Sequence, residues 1–191
     1  MGTSDSRRRG PAPGELAIVQ AFVNSAEVDG DRDELDSPAR AREWFVAQGL
    51  LEPAARVDDG DVVRAVAVRE ALRDVLEGNG GPDVPAAAVE ELNRAAAAAR
   101  MGRPFGEGGE MRTPRGAPTV DDALGTILLL VARAQAAGTW ARLKVCPAGD
   151  CRWAFYDRSR NRSGTWCSMS ACGSREKMRR YRGRRDAAPA R

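Results

Sequence analysis

Residues 146–172 read CPAGDCRWAFYDRSRNRSGTWCSMSAC, and this stretch holds all four cysteines of the 191-residue chain. Four residues lie between Cys146 and Cys151, four between Cys167 and Cys172, and fifteen separate the two pairs. Two close pairs joined by a loop can set four thiolates tetrahedrally around one ion, at about 2.3 Å from each sulfur for zinc. Pro147, Ala148, Gly149 and Asp150 are turn-forming residues, as such a knuckle requires. Gly173, directly after Cys172, is expected to let the backbone approach a ligand sulfur. An iron–sulfur cluster takes the same four thiolates, and two disulfides would need an oxidising compartment that no other feature indicates. The reading carried forward is one structural zinc ion held by Cys146, Cys151, Cys167 and Cys172. A complete four-thiolate set leaves that ion no open position for chemistry.

Between the pairs, Trp153 and Phe155 alternate with Arg152 and Ala154 as in a short strand. With Trp166 they are expected to form the small core of the module, base stacking by Trp153 or Trp166 being the alternative. Arg158, Arg160, Asn161 and Arg162 make a loop suited to phosphates and base edges. After Cys172, a helix carrying Ser174, Arg175, Lys177, Arg179, Arg180, Arg182 and Arg184 would extend that surface. Most charge runs are solvated faces and no more. This one is single-signed and adjoins a rigid anchor.

The rest of the chain has the opposite charge. From 142 to 185 thirteen Lys and Arg stand against three Asp and Glu, a net of +10; from 15 to 141 thirteen stand against twenty-two, a net of −9. A basic block of that density calls for a polyanionic partner, DNA before RNA. A membrane surface fits less well, because beyond Met178 and Tyr181 the helix has no apolar face to insert. The chain contains no histidine, which excludes Ser-His-Asp and Cys-His catalysis and imidazole switches. No nucleophile–base arrangement is visible, so no enzyme is expected.

Upstream the pattern is helical. Leu16, Val19, Phe22 and Val23 share one face; Ser37-Pro38 opens a second helix with Ala41, Trp44 and Phe45 inward. A third runs from about Asp61 to Glu77 with Val62, Val66, Val68, Leu72, Val75 and Leu76 apolar. The carboxylates of Asp58, Asp59 and Asp61 cluster at its start, where acids are expected. Residues 85–100 form a fourth, alanine-rich helix, and Thr119 caps a fifth over 119–137 with Leu124, Ile127, Leu128 and Val131 buried. Glycine and proline over 101–116 suggest a short β-hairpin. Asn24, beside an apolar face, is expected to satisfy a backbone group, with contact to a small molecule as the alternative.

The organisation expected is therefore mainly α. A disordered leader (1–14) precedes a helical domain of about five helices (15–141), a four-cysteine zinc module with a short strand and a basic helix (142–185), and a tail (186–191). No obvious linker separates domain from module, so the two are expected to pack together. The longest apolar stretch, 127–132, is too short to cross a bilayer, and the arginines at 7–9 lead into no apolar segment. A cytoplasmic location, on the nucleoid when DNA is bound, is the expectation.

From 146 to 185 the chain resembles the CGNR zinc finger family. Phe155, Asp157, Ser159, Arg160 and Asn161, then Trp166, Cys167, Ser168 and Met169, then Cys172, Gly173, Ser174 and Arg175 carry the likeness. Ser174 stands where that family's signature has asparagine; serine still bonds locally or caps a helix. The residues Phe22-Val23-Asn24-Ser25 and the Ser37-Pro38, Trp44 and Gly49-Leu50 stretch resemble the helical domain, of the stress-induced transcription regulator type, that precedes such fingers. The resemblance implies a DNA-binding regulator whose helical domain senses a ligand or forms a homodimer. The competing expectation is a sensing or protein-binding module, its zinc unit a structural cap and its basic face docked on an acidic partner.

Overall fold

The computed structural model describes residues 9–28, 32–100 and 115–186, the last four as backbone only. The expected β-hairpin falls almost wholly outside the described residues, as do residues 1–8 of the leader, residues 187–191 of the tail and the side chain of Arg184.

Among the described residues the order is α1 (Leu16–Val23), α2 (Pro38–Ala47), α3 (Asp59–Gly78), α4 (Ala86–Ala98), α5 (Val120–Ala136), a 3-10 turn (Trp140–Arg142), β1 (Leu143–Val145), β2 (Ala154–Tyr156), a π-helical turn (Met169–Gly173) and α6 (Ser174–Asp186). Three helix starts are fixed by local capping. Ser37 Oγ accepts the Arg40 N–H ahead of Pro38, and Thr119 Oγ1 accepts the Asp122 N–H. Asp58 and Asp61 cap each other reciprocally, side chain to backbone N–H, at 2.9 Å both ways. None of the described helices is long and apolar enough to cross a membrane.

The core is centred on Phe22, Trp44 and Phe45, whose ring centroids lie 5.2 to 6.0 Å apart. Leu72 and Leu76 of α3 and Leu124 and Ile127 of α5 complete it. In α3 the burial differs from expectation: Val62, Val66 and Val75 are only partly covered, whereas Arg69 and Arg73 are buried. Arg69 makes a two-pronged pair with Asp33 at 2.6 and 2.8 Å and donates to Ser25 Oγ at 3.2 Å. Arg73 pairs with Glu70 and donates to the Val23 carbonyl. These guanidiniums fasten the segment after α1 to α3.

Helical body and C-terminal module share a core. Strands β1 and β2 pair antiparallel, Leu143 opposite Tyr156 and Val145 opposite Ala154. Those four side chains belong to the large core, while Phe155, on the other face of β2, packs with the cysteines. Asn24 caps the outer edge of β2, accepting the Ala154 N–H at 2.8 Å and donating to its carbonyl at 2.9 Å. Gln20 adds a bond to the same carbonyl at 3.2 Å. From α3, Asn79 donates to the carbonyls of Trp140 and Leu143, and Asp74 and Glu77 hold Arg152 at 2.7 and 3.0 Å.

Residues 9–14 correct the expected disordered leader. Ala12 is buried and gives its N–H to Gln20 Oε1 at 2.6 Å. Arg9 bonds the Cys167 carbonyl through its N–H, pairs with Asp157 at 3.0 Å and lies over the Phe155 ring. Glycine, proline and arginine composition suggested disorder because the partners of Arg9 are more than a hundred residues away.

Candidate metal centre and basic surface

The four sulfurs of Cys146, Cys151, Cys167 and Cys172 all lie within 4.8 Å of one another, and all four residues are buried and free of disulfides. Cys167 Sγ stands 3.6 Å from Cys151 Sγ and 3.6 Å from Cys172 Sγ. A tetrahedral ion with bonds of about 2.3 Å needs sulfurs about 3.8 Å apart. Sulfurs this close together can hold a single zinc ion between them. The two pairs reach it from different elements: Cys146 and Cys151 flank the turn between β1 and β2, and Cys167 and Cys172 flank the start of the π-helical turn.

Charge makes the same point. Hydrogen bonds from the thiols of Cys151 and Cys167, helped by the N–H groups of Cys167 and Ala148, hold Cys146 down to about 2. Its thiolate then pushes Cys151 up to about 12 and Cys167 higher still. By themselves these three thiols support the ionisation of one. A divalent cation at their centre lets all four ionise, which is why this donor set takes zinc. The ion supplies a cross-link between the hairpin and the base of α6. Arg175 reaches the Cys172 sulfur at 3.4 Å, so the cage is partly screened from the basic side.

One detail differs from the sequence reading. A Cβ at Gly173 would meet Met169 Sδ at 2.6 Å and Trp166 Cδ1 at 3.2 Å, so the missing side chain makes room for these residues and not for a ligand sulfur. Ser174 turns its hydroxyl back to the Met169 carbonyl at 3.2 Å, which seals the π-helical turn. Trp153 and Trp166 are partly buried against the cysteine cluster, as a small core requires.

The loop after β2 is built on a residue that the site reading overlooked. Asp157 is fully buried, and its carboxylate accepts from Arg9, Lys144 Nζ (3.1 Å), the Ser159 N–H (3.0 Å) and the Gly164 N–H (2.7 Å). Burial acts to raise its pKa, but these donors outweigh it and hold the carboxyl well below the usual carboxylate range. The available signal was an acid placed between a strand and a glycine-bearing basic loop.

The basic residues divide into two groups. Arg158 bonds the Pro11 carbonyl at 2.6 Å and lies over the Tyr156 ring. Arg175 pairs with Asp150 at 3.4 Å; Arg179 pairs with Asp150 and Glu176, and Arg180 with Glu176. Arg160, Asn161, Arg162, Lys177 and Arg182 are exposed, and no partner for their side chains occurs among the described residues. The groove along α6 is lined by Ser170, Ala171, Ser174, Arg175, Met178 and Arg182, and the exposed Met178 gives it one apolar patch.

The family model described as "Putative stress-induced transcription regulator" (ABATE) matches residues 16–143, and that of the CGNR zinc finger matches residues 142–185. The chain belongs to the ABATE family and carries a CGNR zinc finger after its helical domain. No curated protein matches it.

Proposed function

We propose that this ABATE-family chain is a zinc-braced, DNA-binding transcription regulator and not an enzyme. The observation that carries the reading is the set of exposed cations Arg160, Arg162, Lys177 and Arg182, which lack side-chain partners among the described residues and sit on a finger whose zinc cage fixes its shape. Unpaired surface cations are free to displace counterions from a phosphate backbone without first breaking ion pairs of their own. The absence of histidine and the completeness of the thiolate set leave neither a general base of that kind nor an open metal position.

We assign to the helical body the sensing of a ligand or the formation of a dimer. Polar contacts join it to the hairpin under the finger: Asn24 and Gln20 to Ala154, Asp74 and Glu77 to Arg152, and Asn79 to Leu143. A shift of α1 or α3 would be felt by β1 and β2 directly. The test is a fluorescence-anisotropy titration of the zinc-loaded chain against duplex DNA over a range of salt. Binding with a steep log–log slope supports the reading, and no binding at low salt refutes it.

A further inference from the structure

We infer that the loop Arg160-Asn161-Arg162 selects the DNA sequence, while α6 supplies affinity without selecting. The inference rests on the DNA-binding reading above and says which part of the finger does which work.

The loop is fixed from beneath. Asp157 takes the N–H groups of both Ser159 and Gly164, so the two ends of the loop hang from one buried carboxylate. Lys144 Nζ donates to the carbonyls of Arg162 at 2.5 Å and Gly164 at 3.2 Å. Arg142 donates to the carbonyls of Asp157 at 3.0 Å and Ser159 at 2.9 Å. Ser159 Oγ accepts the Ser163 N–H at 3.1 Å, and Arg162 sits in the left-handed region with φ of 53°. Holding a non-glycine residue there costs energy and persists only where the surroundings impose it. Three buried or half-buried charged side chains are thus spent on the loop's backbone, while Arg160, Asn161 and Arg162 project outward with no partner among the described residues.

That division is what base reading needs. Phosphate attraction tolerates flexible cations, but a bidentate contact to a base edge demands a donor–acceptor group held in place before it binds. An amide matches the adenine edge, and a guanidinium on either side matches guanine. Helix α6 is arranged otherwise. Glu176 is shared by Arg179 and Arg180, and Asp150 by Arg175 and Arg179, so much of its charge is already paired.

The test selects binding sites from a random duplex library with the zinc-loaded full chain, then measures specific and non-specific affinity against salt. Asn161→Ala is expected to degrade the selected motif and lower the specific-to-non-specific ratio about tenfold, with the salt slope unchanged. Arg160→Lys, which keeps the charge, is expected to act in the same way. Lys177→Ala/Arg182→Ala is expected to weaken specific and non-specific binding alike and make the slope shallower by about 2, leaving the motif intact. An unchanged motif in Asn161→Ala and Arg160→Lys, or a motif altered by the α6 pair, would overturn the assignment. A wild-type chain that binds DNA with a steep slope but selects no motif overturns it too, and leaves the DNA-binding reading standing. A wild-type chain that binds no duplex at any salt removes both.

Discussion

Asn24 and Ala154 bond each other twice: the side-chain amide accepts the strand's N–H at 2.8 Å and returns a donor to its carbonyl at 2.9 Å. One helix side chain thereby stands in for the neighbouring strand that the edge of β2 lacks. It also fastens the helical body to the finger at the start of β2.

Asn24→Ala leaves the Ala154 N–H buried without a partner, and its carbonyl retains only Gln20. An unsatisfied buried donor costs about 1–3 kcal/mol. Thermal denaturation is expected to show that loss with full zinc content retained, since Asn24 touches no cysteine.

Removal of zinc is expected to destabilise the whole chain and not the finger alone. Zinc contributes about 10 kcal/mol or more to folding in small four-ligand modules, against a net stability of about 5–15 kcal/mol for an ordinary domain. Leu143, Val145, Ala154 and Tyr156 belong to the large core, so a finger that opens withdraws them from it. Circular dichroism of the helices during chelation should show a lowered melting transition. Helices that melt at the same temperature with and without zinc would contradict the shared core.

Asp157→Asn gives a pH-dependent loss. The folded-state pKa of Asp157 lies below its ordinary 3.8, so the stability it contributes is present in full above that value and is lost as pH falls through the folded one. The variant is expected to be less stable than the wild type by about 3 kcal/mol at neutral pH, because Arg9 and Lys144 lose their buried partner. The two stability curves should converge as pH falls below 3.8.

Gly164→Ala and Gly173→Ala should differ. At Gly164 a Cβ would lie 2.6 Å from Asp157 Oδ1, which Arg9 and the Ser159 N–H hold, and 2.5 Å from Arg9 Nη1. At Gly173 the nearest atom is Met169 Sδ, part of a flexible and exposed side chain that can turn aside. The first substitution is expected to cost at least about 1 kcal/mol more than the second in denaturant titrations, and to weaken DNA binding as well.

Much of this was legible in the sequence, and the rest was hidden for physical reasons. The helix starts at Ser37 and Thr119 and the cysteine cage depend on residues a few positions apart, or on a spacing that brings four thiolates together, whereas the Asp58 cap starts α3 two residues ahead of the Asp61 expected. Arg69 and Arg73 were not legible as core residues, because an arginine on a helix is normally solvated and only the distant Asp33 and the Val23 carbonyl justify its burial. Arg9 was read as part of a loose leader for the same reason, its partners being Cys167 and Asp157. The double use of the hairpin also escaped the reading. In strands of three residues, alternation says that two faces exist without saying that each meets a different core.

The most direct test of the central claim is the salt dependence of binding between the zinc-loaded chain and duplex DNA. Four cations without side-chain partners among the described residues, Arg160, Arg162, Lys177 and Arg182, each neutralising one phosphate, predict a slope of log affinity against log salt of about −3.6. Binding should also disappear when zinc is chelated. A slope near zero, or equal binding with and without zinc, would contradict the account.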